Sequence, residues 1–266
     1  MNKPPRTNRC GCPFFIGGQL GGFSLVEILA VVSIMVIIMA LAVPMMNSLK
    51  GAGNVTKAVY DINGILNQAR TYAIANNAYV WVGFFEEDGS KNSAVNEATP
   101  GIGRVIVVSI SSKNGTRNYD TANPPGKLDS TNLCAIDKLQ KFDSLHLSSL
   151  NGQGAVPAIG GMARPVIMDN NYDLGNPACV ASTGFSWPLQ GGVSRYTFSK
   201  IINFDPRGVV RIQSASNGDF IPPYIEIGLQ SAHGNVAPSL PSDQNQGNHA
   251  AIQIDGMTGS TRIYRP

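Results

Sequence analysis

Gly21-Gly22-Phe23-Ser24-Leu25-Val26-Glu27 opens an apolar run on which the reading of the whole chain depends. From Phe23 to Met46 the single charge is Glu27, and the hydroxyls are Ser24 and Ser33. From Ile28 to Leu49 no side chain is charged, and Lys50 ends the run. As a helix, about 22 residues rising ~1.5 Å each reach roughly 33 Å, enough for a hydrocarbon core of about 30 Å. The sequence therefore predicts one membrane-spanning helix, with everything after it as its cargo. A carboxylate at this depth is costly and marks function or a partner. At the very start of a helix it is also favoured by the helix dipole.

Residues 1–22 carry Lys3, Arg6 and Arg9 and no acid, the charge pattern of a cytoplasmic flank. They do not read as an ordinary secretory signal, in which a short apolar segment precedes a small-residue cleavage site. Here the small residues, Gly21 and Gly22, stand in front of the apolar run. A cut after Gly22 would discard the charges and keep the helix.

That order resembles the type IV pilins and pseudopilins. The resemblance rests on the basic leader, Gly22-Phe23, Glu27 and the unbroken apolar segment. It implies that a prepilin peptidase and N-methyltransferase cuts between Gly22 and Phe23 and methylates the new amine. It also implies that Glu27 pairs in the filament with the Phe23 amine of a neighbouring subunit. Both charges are costly to desolvate, so such a pair serves register and specificity more than stability. Pro44 lies within the apolar helix, removes a backbone donor and predicts a kink; many pilins carry a proline at the corresponding place.

Charge and cysteine content change on processing. The chain has 20 Lys and Arg against 17 Asp and Glu, and loss of Lys3, Arg6 and Arg9 leaves 17 against 17. A near-neutral mature chain offers no global argument for nucleic-acid binding. Cys10 and Cys12 leave with the leader. Cys134 and Cys179 remain and could form one disulfide outside the cytoplasm; the alternative is two separate buried thiols.

After the span, Asn47, Ser48, Gly51 and Gly53 soften the helix and predict a flexible joint. Helical spacing resumes through Val55, Val59, Ile62, Ile65, Leu66, Ala69, Tyr72 and Ala73, giving one apolar stripe over Val55–Ala75. Strands are expected over Tyr79–Phe85, Arg104–Ile110, Leu139–Leu147, Gly192–Ile202, Val209–Gln213, Tyr224–Leu229 and Ala250–Asp255, with Thr261–Tyr264 closing a hairpin. Asn114-Gly115 predicts a tight hairpin with Thr116–Tyr119 as its return. Asp205-Pro206-Arg207-Gly208 reads as a turn. The expected fold class is α+β and pilin-like: a long N-terminal helix, transmembrane then amphipathic, packed on an antiparallel β-sheet domain. Its expected parts are a leader at 1–22, a transmembrane and assembly helix at 23–49, an amphipathic half at 50–77, and a periplasmic β-rich domain at 78–266.

This layout is similar to the GspH/FimT group of minor pseudopilins and minor pilins. The carrying residues are Leu66 to Ile74 with Ala69-Arg70, then Asn76-Asn77, and later Phe204-Asp205-Pro206-Arg207-Gly208. The closing Ile254-Asp255-Gly256-Met257-Thr258-Gly259 and Arg262–Pro266 also look like a pilin-like group of Verrucomicrobia cassettes. The resemblance implies a single-pass inner-membrane protein with its C-terminal domain in the periplasm. It would be a structural subunit of a type II secretion pseudopilus or a related type IV filament. Its implied partners are other pseudopilins or pilins, the inner-membrane assembly platform, and membrane lipid before assembly. An alternative is a FimT-like minor pilin that binds DNA for uptake through Arg104, Lys113 and Arg117, or Arg262 and Arg265. A non-polymerising anchored protein is the third reading. No enzyme, cofactor or metal is expected: His146, His233 and His249 share no metal-ligand spacing, and there is no P-loop or nucleophile elbow. Asp243 and Asp255 could meet calcium in a C-terminal loop, but no EF-hand-like series surrounds them.

Overall fold

The computed structural model describes residues 24–93, 98–117, 128–150, 164–165, 167, 169–180, 184–191, 193–212, 221–239 and 247–265, with the side chains of 41–52 outside that set. The chain divides into two compact units, Met1–Met46 and Asn47–Pro266. The helix α1 (Leu25–Asn76) belongs to both.

In the first unit, Ser24 caps α1. Its hydroxyl accepts from the Val26 N–H at 3.3 Å, and its carbonyl accepts from the N–H groups of Glu27 and Ile28. This satisfies donors that a helix start leaves orphaned. Ser33 turns its hydroxyl back to the Leu29 carbonyl. α1 continues without interruption through residues 45–53, where the sequence predicted a joint. Helix propensity is a weak prior, and the glycines there lower it without breaking the hydrogen-bond ladder.

The second unit is dominated by antiparallel sheet. Its strands are β1 (Val80–Asp88), β2 (Gly103–Ser112), β3 (Leu133–Ala135), β4 (Gln140–Leu147), β5 (Phe185–Trp187), β6 (Tyr196–Phe198), β7 (Lys200–Phe204), β8 (Val210–Ile212), β9 (Tyr224–Ser231), β10 (His249–Asp255) and β11 (Thr261–Tyr264). Nine of them form one sheet in the order β11-β10-β9-β4-β2-β1-β7-β8, with β3 paired to β2. β5 and β6 make a separate hairpin.

Period-2 alternation sends side chains to two cores. Val80, Val82 and Phe84 of β1 share a cluster with Val59, Ile62, Leu66, Ala69 and Ala73 of α1 and with Ile225, Ile227 and Leu229 of β9. Trp81 points the other way, into a second cluster with Ile106, Val108, Phe185 and Phe198. Each fully buried Leu or Ile contributes roughly 1.5–3 kcal/mol. Gly83 is required there: a Cβ on it would lie 2.6 Å from the Phe185 ring and 2.9 Å from Phe198.

These observations correct several expectations. The fold class, α+β and pilin-like with a transmembrane-plus-amphipathic helix, gives way to a mainly antiparallel β architecture. Among the described residues no helix is long and apolar enough to cross a membrane. The transmembrane-helix description, and with it the single-pass inner-membrane placement with a periplasmic domain, is therefore withdrawn. At Asn114-Gly115 the described residues form a turn, and Asn118 and Tyr119 of the expected return strand lie outside them. Asn114 Oδ1 accepts from the Thr116 N–H and hydroxyl, and β2 pairs instead with β1, β3 and β4. β1 runs past the expected end at Phe85 through Glu86–Asp88, because those residues keep pairing with Val105, Arg104 and Gly103.

Candidate functional site

The N-terminal motif falls partly inside the structure. Gly22 and Phe23 lie outside the described residues. Glu27 sits in the first turn of α1 and is exposed. Around it Leu25 is 80%, Val26 73% and Leu29 63% exposed, and exposure of large apolar side chains continues to Met39. A contiguous apolar helix surface of this kind marks a contact surface. Pro44 lies within α1, whose helical run continues past it; its side chain is outside the described set.

Cys134 and Cys179 are both free thiols, which corrects the disulfide expectation. The Cys134 sulfur lies 3.0 Å from the Ser111 hydroxyl on the neighbouring strand. Cys179 is buried in the main cluster, and burial pushes its thiol up to about 12, so it stays protonated and inert.

The basic residues of the DNA alternative do not form one patch. Arg104 is the second residue of β2 and Lys113 follows its end, about 30 Å apart at ~3.4 Å per residue. Arg104 donates to Asp143 at 2.5 Å and to Glu87 at 3.0 Å, so its charge is met within the fold. Burial would lower its basicity, but hydrogen bonds to Asp143 and Glu87 outweigh burial and raise it. Lys113 donates to the Thr131 carbonyl, and the Arg117 guanidinium lies 5.5 Å from the centre of the Tyr79 ring. Arg262 is on the edge strand β11, far along the sheet order from β2.

No cluster of three metal-ligating side chains occurs among the described residues. His146 meets Glu86 at 2.8 Å, His249 is buried in β10, and His233 is in a tight turn with Val236. Asp255 holds the Thr258 N–H and hydroxyl. Asp243 is outside the described residues.

Sequence reasoning missed one convergence. Two stretches that carried the GspH/FimT resemblance, Leu66 to Ile74 and Phe204 to Gly208, meet the closing Ile254 to Gly259 stretch at one corner. Arg70 donates through Nε to the Thr258 carbonyl at 2.8 Å. Gly208, at φ +83, leaves room for Arg70 and Ile74; Gly259, at φ +67, lies against the Gly208 carbonyl and Arg70. A side chain on either glycine would be strained in φ, and one on Gly259 would also collide with the Gly208 carbonyl, 2.3 Å from its Cβ. The signal was present as Gly at turn ends, but its partner across 188 residues was not.

A buried ionic group also escaped the sequence. Arg164 donates to the Glu226 carboxylate, and Gln253 donates to the same carboxylate at 2.7 Å. Burial raises the pKa of Glu226 above the usual carboxylate range. Asp173, which accepts from Ser149 and from the Gly175 N–H, is raised for the same reason.

Comparison with protein-family models, with curated proteins and with solved structures finds no match.

Proposed function

We propose that this chain is a structural subunit of a helical filament. It would be a minor pseudopilin cut by a prepilin peptidase between Gly22 and Phe23, which then joins a type II secretion pseudopilus or related type IV filament through its N-terminal helix. The observation that supports this is the exposed apolar surface of α1 with a single carboxylate, Glu27, in its first turn. Helix-to-helix packing needs such a surface, and one fixed charge gives it a register. The β-rich unit is then the part that meets other subunits or cargo. The role is assembly, not catalysis.

The deciding experiment is intact-mass measurement and N-terminal sequencing of the full chain, expressed with and without an active prepilin peptidase. A product that begins at methylated Phe23 only when the enzyme is present is expected. A chain that still begins at Met1, or is cut elsewhere, overturns the reading.

A further inference from the structure

Two Asn-Gly pairs, Asn63-Gly64 and Asn114-Gly115, lie among the described residues, and the fold gives them opposite surroundings. An asparagine followed by glycine can close on itself, because the glycine has no side chain to shield the backbone nitrogen that attacks the amide carbon. The sequence treats the two pairs alike. They differ in where the fold puts the side-chain oxygen and the glycine nitrogen.

Asn114 is exposed in the turn after β2. Its Oδ1 accepts from the Thr116 N–H at 3.0 Å, from the Thr116 hydroxyl at 2.8 Å and from the Ser112 hydroxyl at 2.8 Å. A backbone N–H can only donate, so it fixes that end of the amide as oxygen and Nδ2 as the other. Three donors on one carbonyl oxygen draw charge from Cγ and meet the negative charge that the oxygen gains under attack. Reaching Thr116 also folds the side chain back along the Gly115 peptide, which keeps Cγ beside the attacking nitrogen. Gly115 sits at φ +72, and its N–H makes no backbone hydrogen bond among the described residues. Loss of that proton therefore breaks no backbone bond. Asn63-Gly64 lies inside α1, where the Gly64 N–H belongs to the helical ladder. The Asn63 Oδ1 is buried with no donor on it among the described residues. Attack there requires the helix to open first.

We propose that Asn114 is a modification site, one that deamidates without an enzyme and is promoted by the donors of its own turn. The Gly115 nitrogen gives its proton to solvent and bonds to Asn114 Cγ, and the Cγ–Nδ2 bond breaks. Nδ2 takes a proton from solvent and leaves as ammonia, so the protons balance. Water then opens the cyclic imide at either carbonyl, leaving an aspartate or an isoaspartate at this position. Water is the one co-reactant. Either product adds a negative charge between Lys113 and Arg117. The inference is independent of filament assembly.

The test is timed incubation of the full chain at mildly alkaline pH, with peptide mass mapping of the deamidation mass gain and of isoaspartate at each site. It is run on the folded chain, on the chain unfolded in urea, and on folded Thr116→Val, which keeps the N–H and the side-chain shape but loses the hydroxyl donor. In the folded chain Asn114 is expected to convert at least about tenfold faster than Asn63, because the helix must open before Asn63 can react. In urea the two sites are expected to convert at similar rates. Thr116→Val is expected to slow Asn114 by about two- to tenfold, the range for one hydrogen bond. Absence of conversion at Asn114 in the folded chain overturns the proposal. So does equal conversion of the two sites in the folded chain, or a difference between them that persists in urea. A Thr116→Val chain that converts as fast as the parent overturns it as well, since the donors then play no part.

Discussion

Asp205 accepts from the N–H groups of Arg207 and Val209 through Oδ1, at 2.8 and 3.0 Å, and from Arg211 through Oδ2 at 3.1 Å. Burial alone would raise its pKa, but these donors outweigh burial and hold it below the usual carboxylate range. A carboxylate whose folded pKa is depressed adds stability above its unfolded value, about 3.9, and loses it as pH falls through the folded value. Asp205→Asn keeps the shape and removes the charge. The variant is expected to be less stable than the parent by roughly 2 kcal/mol at pH 7, the scale for charged hydrogen bonds. The gap should begin to narrow below about pH 3.9 and go on narrowing as pH falls towards the depressed folded value. Urea unfolding at pH 7 and at pH 3 checks this, and an unchanged gap would refute it. The Asp-Pro-Arg-Gly turn was legible from composition. That Asp205 also ties Arg211 on β8 was not, because the pairing of β7 with β8 brings Arg211 opposite Asn203.

Helix α1 shows what one element owes to pattern and what it owes to packing. The stripe Val55, Val59, Ile62, Ile65, Leu66, Ala69, Tyr72 and Ala73 was legible in the sequence, and every member but the half-buried Tyr72 is buried. Gly64 falls off the stripe, and a Cβ on it would touch nothing within 4 Å. Its helical geometry is open to alanine, and alanine loses less backbone entropy on folding. Gly64→Ala is therefore expected to stabilise the protein by about 0.5–1 kcal/mol, read as a raised midpoint in thermal or urea unfolding. A drop in stability would show that the outer face of α1 has a contact the isolated chain lacks. The continuity of α1 past Gly51 and Gly53 was not legible, since residue propensities at that point favour a break.

At the scale of the whole molecule, Glu27 is the residue on which the filament proposal turns. Its role is intermolecular, so folding of the single chain should not need it. Glu27→Ala is expected to be cleaved and to fold as the parent does, yet to enter filaments at least about tenfold less well. That is the loss when one partner of a desolvated charge pair is removed. Pull-down of sheared filaments against total protein measures it. Undiminished incorporation would remove Glu27 from the mechanism.

Local chemistry settles some features without tertiary help. Gly22-Phe23, Glu27 and the apolar run are contiguous, the buried stripe of α1 follows a 3.6-residue period, and most strands carry a two-residue period. Each is a pattern over neighbours, so the linear chain contains it. Other features join residues far apart. The Arg70–Thr258 corner and the Arg164–Glu226–Gln253 group depend on strand order and register. So do the two thiols, which remain free because the fold places Cys134 against Ser111 and Cys179 in the core. One residue of slip would turn every side chain of a strand to the other face. Strand pairing, fixed by burial across the whole sheet, therefore decided those contacts, and the sequence by itself decided the N-terminal motif and the buried face of the helix.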